Sequence, residues 1–324
     1  MREITYREAI REALREEMRR DGRVIVMGED VAGFGGSFRV TVGLLAEFGK
    51  DRVLDTPLSE SAIVGAAVGA ALMGMRPVAE VMFADFATVA MDGIINHAAK
   101  VSYLSAGESS APMVVRMAFG AGGLAGAHHS QSIESWLANV PGLTIVMPTT
   151  SYDAKGMLKA AIRTPNPVIF LEHKLLYSKK GMVPDTDYIV PIGKAEVRRQ
   201  GDAVTIVATG LMVDRSLAAA EILEQERVSA EVIDLRSIIP LDEETIIESV
   251  KKTGRLVTVH EAPVRGGFGA EIAAVVGSKA LGFLDAPIQR VGAPFTPVPR
   301  SPLLEGAYLP NERQIVQATR TVLG

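Results

Sequence analysis

Four stretches of this chain carry residue types that handle protons or stack on rings, and each follows an apolar run of strand type. Glu29 comes shortly after Val24–Met27. Glu60 ends the segment DTPLSE (Asp55–Glu60), which follows Arg52–Leu54 and opens a helix. Phe86 ends Phe83–Phe86, after Val78–Val81. His128 and His129 lie in the Gly-rich loop Phe119–Gln131, after Met113–Met117. In open α/β sheets ligands bind beyond the carboxyl ends of the strands, so a site is expected at these loops. Carboxyl and imidazole groups there would serve general acid–base chemistry. Each residue also has a structural reading. Glu60 could simply favour a helix N-terminus, where the dipole stabilises negative charge. Phe86 could be core, and the histidines could belong to a surface loop. Adjacent histidines point in divergent directions and do not make a two-ligand metal site. Neither Gly-rich run is a phosphate cradle by motif. There is no G-x-x-x-x-G-K-[ST], and Gly33-Phe34-Gly35-Gly36 does not fit the dinucleotide fingerprint.

The elements that must position these residues alternate. Thr5 and Glu8 form a capping box. Tyr6, Ile10, Ala13, Leu14 and Met18 then repeat at helical spacing. Strand-like runs are Val24–Met27, Val78–Val81, Met113–Met117, Thr144–Met147 and Val168–Leu171. Helical stretches between them include Ala62–Met75, Ala87–Ser102 and Tyr152–Arg163. Strands apolar on both faces, alternating with helices, predict a parallel sheet covered on both sides. Tyr177–Arg199, with Pro184, Pro191, Gly181 and Gly193, reads as a linker. Alternation then restarts. Val204–Ala208, Glu231–Leu235, Leu256–Val259 and Ile288–Val291 read as strands. Val213–Gln225, Asp242–Lys252, Ala270–Leu281 and a last stretch near Asn311–Val322 read as helices. The expectation is two doubly wound α/β domains, 1–190 and 191–324, each within the usual domain range.

Composition narrows the function classes. The 324 residues contain 48% hydrophobic and 22% charged residues, ordinary for a globular protein with a core. A formal net charge of −4 argues against nucleic acid as a main partner. Without cysteine there is no disulfide, thiolate metal site or cysteine nucleophile. The charged start MREITYREAIREAL has no apolar signal core, and Ala62–Met75 is too short to span a bilayer. A soluble, cytoplasmic protein is expected.

Taken together, the motifs resemble one family. They are MGEDV (Met27–Val31), GGSF (Gly35–Phe38), DTPLSE (Asp55–Glu60), RPVAEVMFADF (Arg76–Phe86), HSQS (His129–Ser132), PGLTIVMP (Pro141–Pro148), DAKGMLKAAIR (Asp153–Arg163) and NPVIFLE (Asn166–Glu172). VTIVATG (Val204–Gly210), VIDLRSIIPLD (Val232–Asp242) and VHEAPVRGGFGAEI (Val259–Ile272) continue the series. Across almost its whole length the chain resembles β subunits of thiamine-diphosphate-dependent 2-oxo acid dehydrogenases. The second domain resembles the transketolase C-terminal domain.

The resemblance implies a shared active site. In that family thiamine diphosphate lies between two subunits, and the α subunit grips the diphosphate through Mg²⁺ with a GDG…N motif. This chain has no GDG; Met91-Asp92-Gly93 is not one. Glu60 matches the glutamate that hydrogen-bonds the cofactor's aminopyrimidine and favours the imino tautomer that takes the carbon-2 proton. Phe86 matches the aromatic residue packed on that ring. Glu29 and Leu58 match positions lining the pocket. His129 matches the histidine that supplies a proton when a lipoyl disulfide accepts the acyl group. Met113, Ala161, Ile162, Thr164 and Asn166 match a region whose carbonyls hold K⁺ in many members, although Thr164 stands where an acidic residue is common. The implied assembly has two α and two β chains and passes an acyl group to the lipoyl domain of a dihydrolipoyl acyltransferase. Phe170–Gly181 and Trp136–Leu143 look most like acetoin dehydrogenase β subunits, with pyruvate and branched-chain members close. A self-sufficient transketolase-like enzyme conflicts with the missing GDG…N. A non-catalytic scaffold would have no need of Glu60, Phe86 and His129 together.

Overall fold

The computed structural model describes residues 1–324. The chain divides into two compact units, Met1–Phe119 with Trp136–Ile192, and Gly120–Ser135 with Gly193–Gly324. The Gly-rich loop bearing His129 thus groups with the second unit, although chain order puts it inside the first.

In the first unit six parallel strands lie side by side in the order Thr144–Val146, Val168–His173, Val114–Phe119, Arg76–Phe83, Val24–Gly28 and Val53–Asp55. The Val24–Gly28 and Val114–Phe119 strands are buried throughout, which is why they read as unbroken apolar runs in the sequence. The first helix, Tyr6–Arg20, is closed by the expected reciprocal box: Glu8 N–H donates to Thr5 Oγ1 at 3.3 Å and Thr5 N–H to Glu8 Oε2 at 2.8 Å. Its stripe Tyr6, Ile10, Ala13, Leu14 and Met18 is buried. Each large apolar side chain there contributes about 1.5–3 kcal/mol.

Two segments differ from the sequence expectation. Ala87–Ser102 is not one helix: Ala87–Asp92 passes into a wide turn at Gly93–Ala98, and Val101–Leu104 follows as a separate short helix. At Gly93 a Cβ would lie 2.9 Å from Val64 Cγ1, so close approach to the neighbouring helix Glu60–Leu72 demands glycine there. Tyr177–Arg199 is more than a linker. Lys180–Val183 pairs antiparallel with Arg2–Thr5, and Glu196–Arg199 pairs antiparallel with Ala230–Asp234. Both are short and partly exposed edge strands, so they carry no apolar run to mark them.

The second unit holds five strands in the order Gln289–Ala293, Leu256–Pro263, Val204–Ala208, Ala230–Asp234 and Glu196–Arg199. All pair parallel except the last. Its core includes Ile206, Val232 and Val257 from the strands, with Met212, Leu223, Ile315 and Val316 from the helices Leu211–Gln225 and Glu312–Leu323. No helix of the chain is long and apolar enough to cross a membrane.

Candidate functional site

Glu29, Leu58, Glu60 and Phe86 all belong to the first unit, on loops or helix starts after parallel strands. Glu60 is the first residue of the helix Glu60–Leu72, half-buried, and the preceding Ser59 makes no side-chain cap. The DTPLSE loop is tied to the loop Gly28–Phe38 by Asp55, which accepts the Ala32 N–H at 2.6 Å and the Gly33 N–H at 3.3 Å. Thr56 N–H donates to the Gly28 carbonyl at 2.9 Å. At Gly28 a Cβ would meet the Glu80 carbonyl oxygen at 2.7 Å, so only glycine lets the Val24–Gly28 strand run this close to its neighbour just before Glu29.

Glu29 is 5% exposed, and its Oε1 has no hydrogen-bond partner. Burial, then the charges of Glu60, Asp30 and Glu80, push its carboxyl above the usual range. Glu29 thus holds its proton more tightly than a free carboxyl does. Leu58 stands 80% exposed. Phe86 is half-buried and meets Phe83 edge-on at 6.1 Å. Phe83 meets Phe38 of the GGSF motif at 5.7 Å, and Phe38 stacks on Tyr177 at 4.7 Å. A continuous row of rings thus fixes Phe86 relative to the GGSF motif.

Behind this row lies a buried charge network that no sequence motif marks as a site. Arg116 is 1% exposed and donates to both oxygens of Glu172 at 2.7 Å and to Glu80 Oε2 at 2.7 Å. Tyr177 Oη donates to Glu172 Oε2 at 2.7 Å. Burial works against the Arg116 charge, but Glu172 and Glu80 outweigh it and hold the guanidinium above its usual range. Burial likewise pushes Glu80 up against the pull of Arg116. The signal was present in sequence: each of the strands VAEV, VVRM and IFLE carries one charge among buried apolar residues, and Glu80 and Arg116 are register partners. Tyr177 gave no such signal. Removing one partner of a buried ion pair leaves uncompensated charge, so Arg116→Met should lower folding stability by about 3–5 kcal/mol. Urea unfolding of the purified variant measures it; a change under about 1 kcal/mol would contradict the network's role.

Arg76, at the start of the Arg76–Phe83 strand, donates to the carbonyls of Ile162 and Thr164 at 2.7 and 3.0 Å. The Met113 carbonyl accepts the Val168 N–H at 2.9 Å, and the Ala161 carbonyl the Thr164 N–H at 3.4 Å. Asn166 is exposed and lines a separate cleft with Lys100 and Tyr103. A monovalent cation bound through Ile162 and Thr164 would sit beside a permanent positive charge. Arg76 thus already engages two of the carbonyls expected to hold K⁺.

In the second unit the loop Gly120–Ser135 carries an exposed His128 and a half-buried His129, whose N–H donates to the Gly126 carbonyl at 3.4 Å. Both ends of the loop are fastened to Glu261, which accepts the Ala121 N–H at 2.5 Å and the Ser132 hydroxyl at 3.4 Å.

Comparison with known proteins matches this architecture to transketolase domains. Residues 2–180 match the transketolase pyrimidine-binding domain, and residues 193–315 the transketolase C-terminal domain. A 2-oxoisovalerate dehydrogenase subunit beta of Bacillus subtilis (strain 168) is 49% identical over 322 residues, covering 99% of this chain and 98% of that one. The pyruvate dehydrogenase E1 component subunit beta of Rhizobium meliloti (strain 1021) is 48% identical, covering 99% of this chain and 70% of the other. The chain belongs to the β-subunit family of 2-oxo acid and acetoin dehydrogenases. A third member, the subunit beta of acetoin:2,6-dichlorophenolindophenol oxidoreductase from the same Bacillus strain, is 46% identical across 100% of this chain and 98% of its own. Among solved structures, a split-gene transketolase described as an inactive β4 tetramer superposes with a TM-score of 0.82 at 26% identity, covering 99% and 98% of the two chains. As a family β subunit, this chain is a component of an oxidoreductase. The domain matched as pyrimidine-binding is the one that carries Glu29, Leu58, Glu60 and Phe86.

Proposed function

We propose that this chain is the β half of a thiamine-diphosphate-dependent 2-oxo acid or acetoin dehydrogenase, completed by an α subunit that supplies the Mg²⁺ and diphosphate contacts. The observation that carries this reading is Glu29: a buried carboxyl with an orphaned oxygen, next to Glu60, inside a domain matched as pyrimidine-binding. These residues fit the aminopyrimidine end of the cofactor, since an orphaned buried polar oxygen calls for a ligand or a water to satisfy it. When bound, the cofactor supplies the nucleophilic carbon and the electron sink.

This chain's own residues do the rest. Glu60 shares a proton with the ring nitrogen. Glu29, whose hold on its proton burial strengthens, faces Glu60 in the same pocket. Phe86, held by the row of rings, presents an apolar face to the pyrimidine. His129 delivers a proton to the sulfur that leaves when a lipoyl disulfide takes the acyl group. The absent GDG…N motif supports a half-site, as does a similar split-gene transketolase whose β4 tetramer is described as inactive. The names of the relatives span 2-oxoisovalerate, acetoin and pyruvate, so the substrate class is a short-chain 2-oxo acid or acetoin. Co-expression with an α subunit, followed by ferricyanide reduction with 3-methyl-2-oxobutanoate, pyruvate and acetoin in turn, tests it. Turnover of one of the three supports the reading, and turnover of none overturns it.

Assembly gives a second expected result. On the helix Glu60–Leu72, Gly65 and Gly69 are exposed, and a Cβ built on either meets nothing within 4 Å. A helix glycine costs about 1 kcal/mol relative to alanine, so a packing partner outside this chain is the physical reason for keeping two. Gly69→Leu should give folded β that no longer co-purifies with α. An unchanged tetramer by light scattering would show that this face is free.

A further inference from the structure

We propose that Glu134, Glu261 and Glu305 are positioning residues for the histidine loop. The inference rests on the reading that His129 serves acyl transfer.

Three carboxyls of the second unit converge on this one segment. Glu261, on the strand Leu256–Pro263, takes hydrogen bonds from Ala121 near the start of the loop and Ser132 near its end. Glu305, on the helix Pro302–Tyr308, accepts the Gly122 N–H at 3.0 Å and the Leu124 N–H at 3.1 Å. Both are 4% exposed, so these charge-assisted bonds act with little competition from water. Leu124 has a φ of +54°, which a non-glycine residue rarely adopts, and its N–H is one of those Glu305 holds. Ala121 also packs in an apolar cluster with Ala293, Val298, Tyr308 and Leu309. The loop is thus held in one conformation by two carboxylates and a small core.

Glu134, at the loop's exit, is 1% exposed, and its Oε2 has no hydrogen-bond partner. The titratable groups facing it are Glu261 from its strand and Tyr308 from its helix. Two buried carboxylates so placed cannot both ionise cheaply. Burial, against a bond from Glu134's own backbone N–H, and then the charge of Glu261 push the Glu134 carboxyl up to about 7. A carboxyl raised in the fold stabilises it by its bound proton, and that contribution is lost as pH rises through about 7. Below that pH the proton-bearing form of Glu134 prevails. Above it a second negative charge enters and opposes the charge on Glu261 that holds the loop.

The test uses the assembled α/β enzyme with cofactor, and the quantity read is the rate of acyl transfer to lipoyl domain divided by the rate of ferricyanide reduction. In the unaltered enzyme this ratio should fall above pH 7, approaching about tenfold per pH unit, as for one essential proton. Glu134→Gln is neutral at every pH and should make the fall above pH 7 clearly shallower than in the unaltered enzyme. Glu261→Gln removes the anchoring charge and should lower the ratio on the order of 10²-fold at every pH, the scale of a misplaced catalytic group. A Glu134→Gln profile that follows the unaltered one overturns the proposal, as does an unchanged ratio in Glu261→Gln. If His129→Ala itself loses both activities equally, the reading underneath fails instead, and the two failures are told apart.

Discussion

Glu60→Gln in the assembled enzyme is expected to lose activity with every electron acceptor, by about 10²–10⁴-fold, the usual worth of a general acid–base group. The substitution keeps the side chain's shape and its place at the start of the helix Glu60–Leu72. It removes the carboxyl proton that Glu60 is proposed to share with the pyrimidine. The loss falls on activation of the cofactor, before any substrate arrives, so ferricyanide and lipoyl domain assays should fall together. Exchange of the carbon-2 hydrogen of bound cofactor, followed by NMR after mixing with deuterium oxide, should slow in proportion. Normal exchange in the variant would return Glu60 to the structural reading, in which its carboxylate only complements the helix dipole.

His129→Ala should fail in a different way. Its proposed work comes later, when the acyl group moves to a lipoyl sulfur that must be protonated. Transfer to lipoyl domain should therefore drop by about 10²–10⁴-fold. Ferricyanide, which needs no proton donor, should report much more of the original rate. His128, the exposed neighbour, serves as the control, and His128→Ala should leave both assays near the original rate. Equal loss of both activities in His129→Ala would remove the division of labour between the two residues.

The central strands of both units were legible because burial on both faces leaves an unbroken apolar run, as in Val24–Gly28 and Val204–Ala208. The first helix was legible from its capping box and apolar stripe. Glu29, Glu60 and Phe86 stand out as candidates because each comes after a strand. What the sequence hid was pairing between distant segments. Lys180–Val183 is a strand only because Arg2–Thr5 lies beside it. Tyr177 was assigned to a linker, yet it is 3% exposed and joins the row of rings to the Arg116 network. The attachment of Gly120–Ser135 to the second unit depends on Glu261 and Glu305, far along the chain, and nothing local in the Gly-rich loop announces them.

The central claim, that this chain holds half of a cofactor site, is tested most directly by calorimetric titration of thiamine diphosphate with Mg²⁺ into β alone and into the α/β assembly. The account predicts no measurable heat of specific binding to β alone and tight, stoichiometric binding to the assembly, because it assigns the pyrimidine contacts to this chain and the diphosphate contacts to the other. Affinity of β alone at about micromolar strength, some −8 kcal/mol, would contradict it.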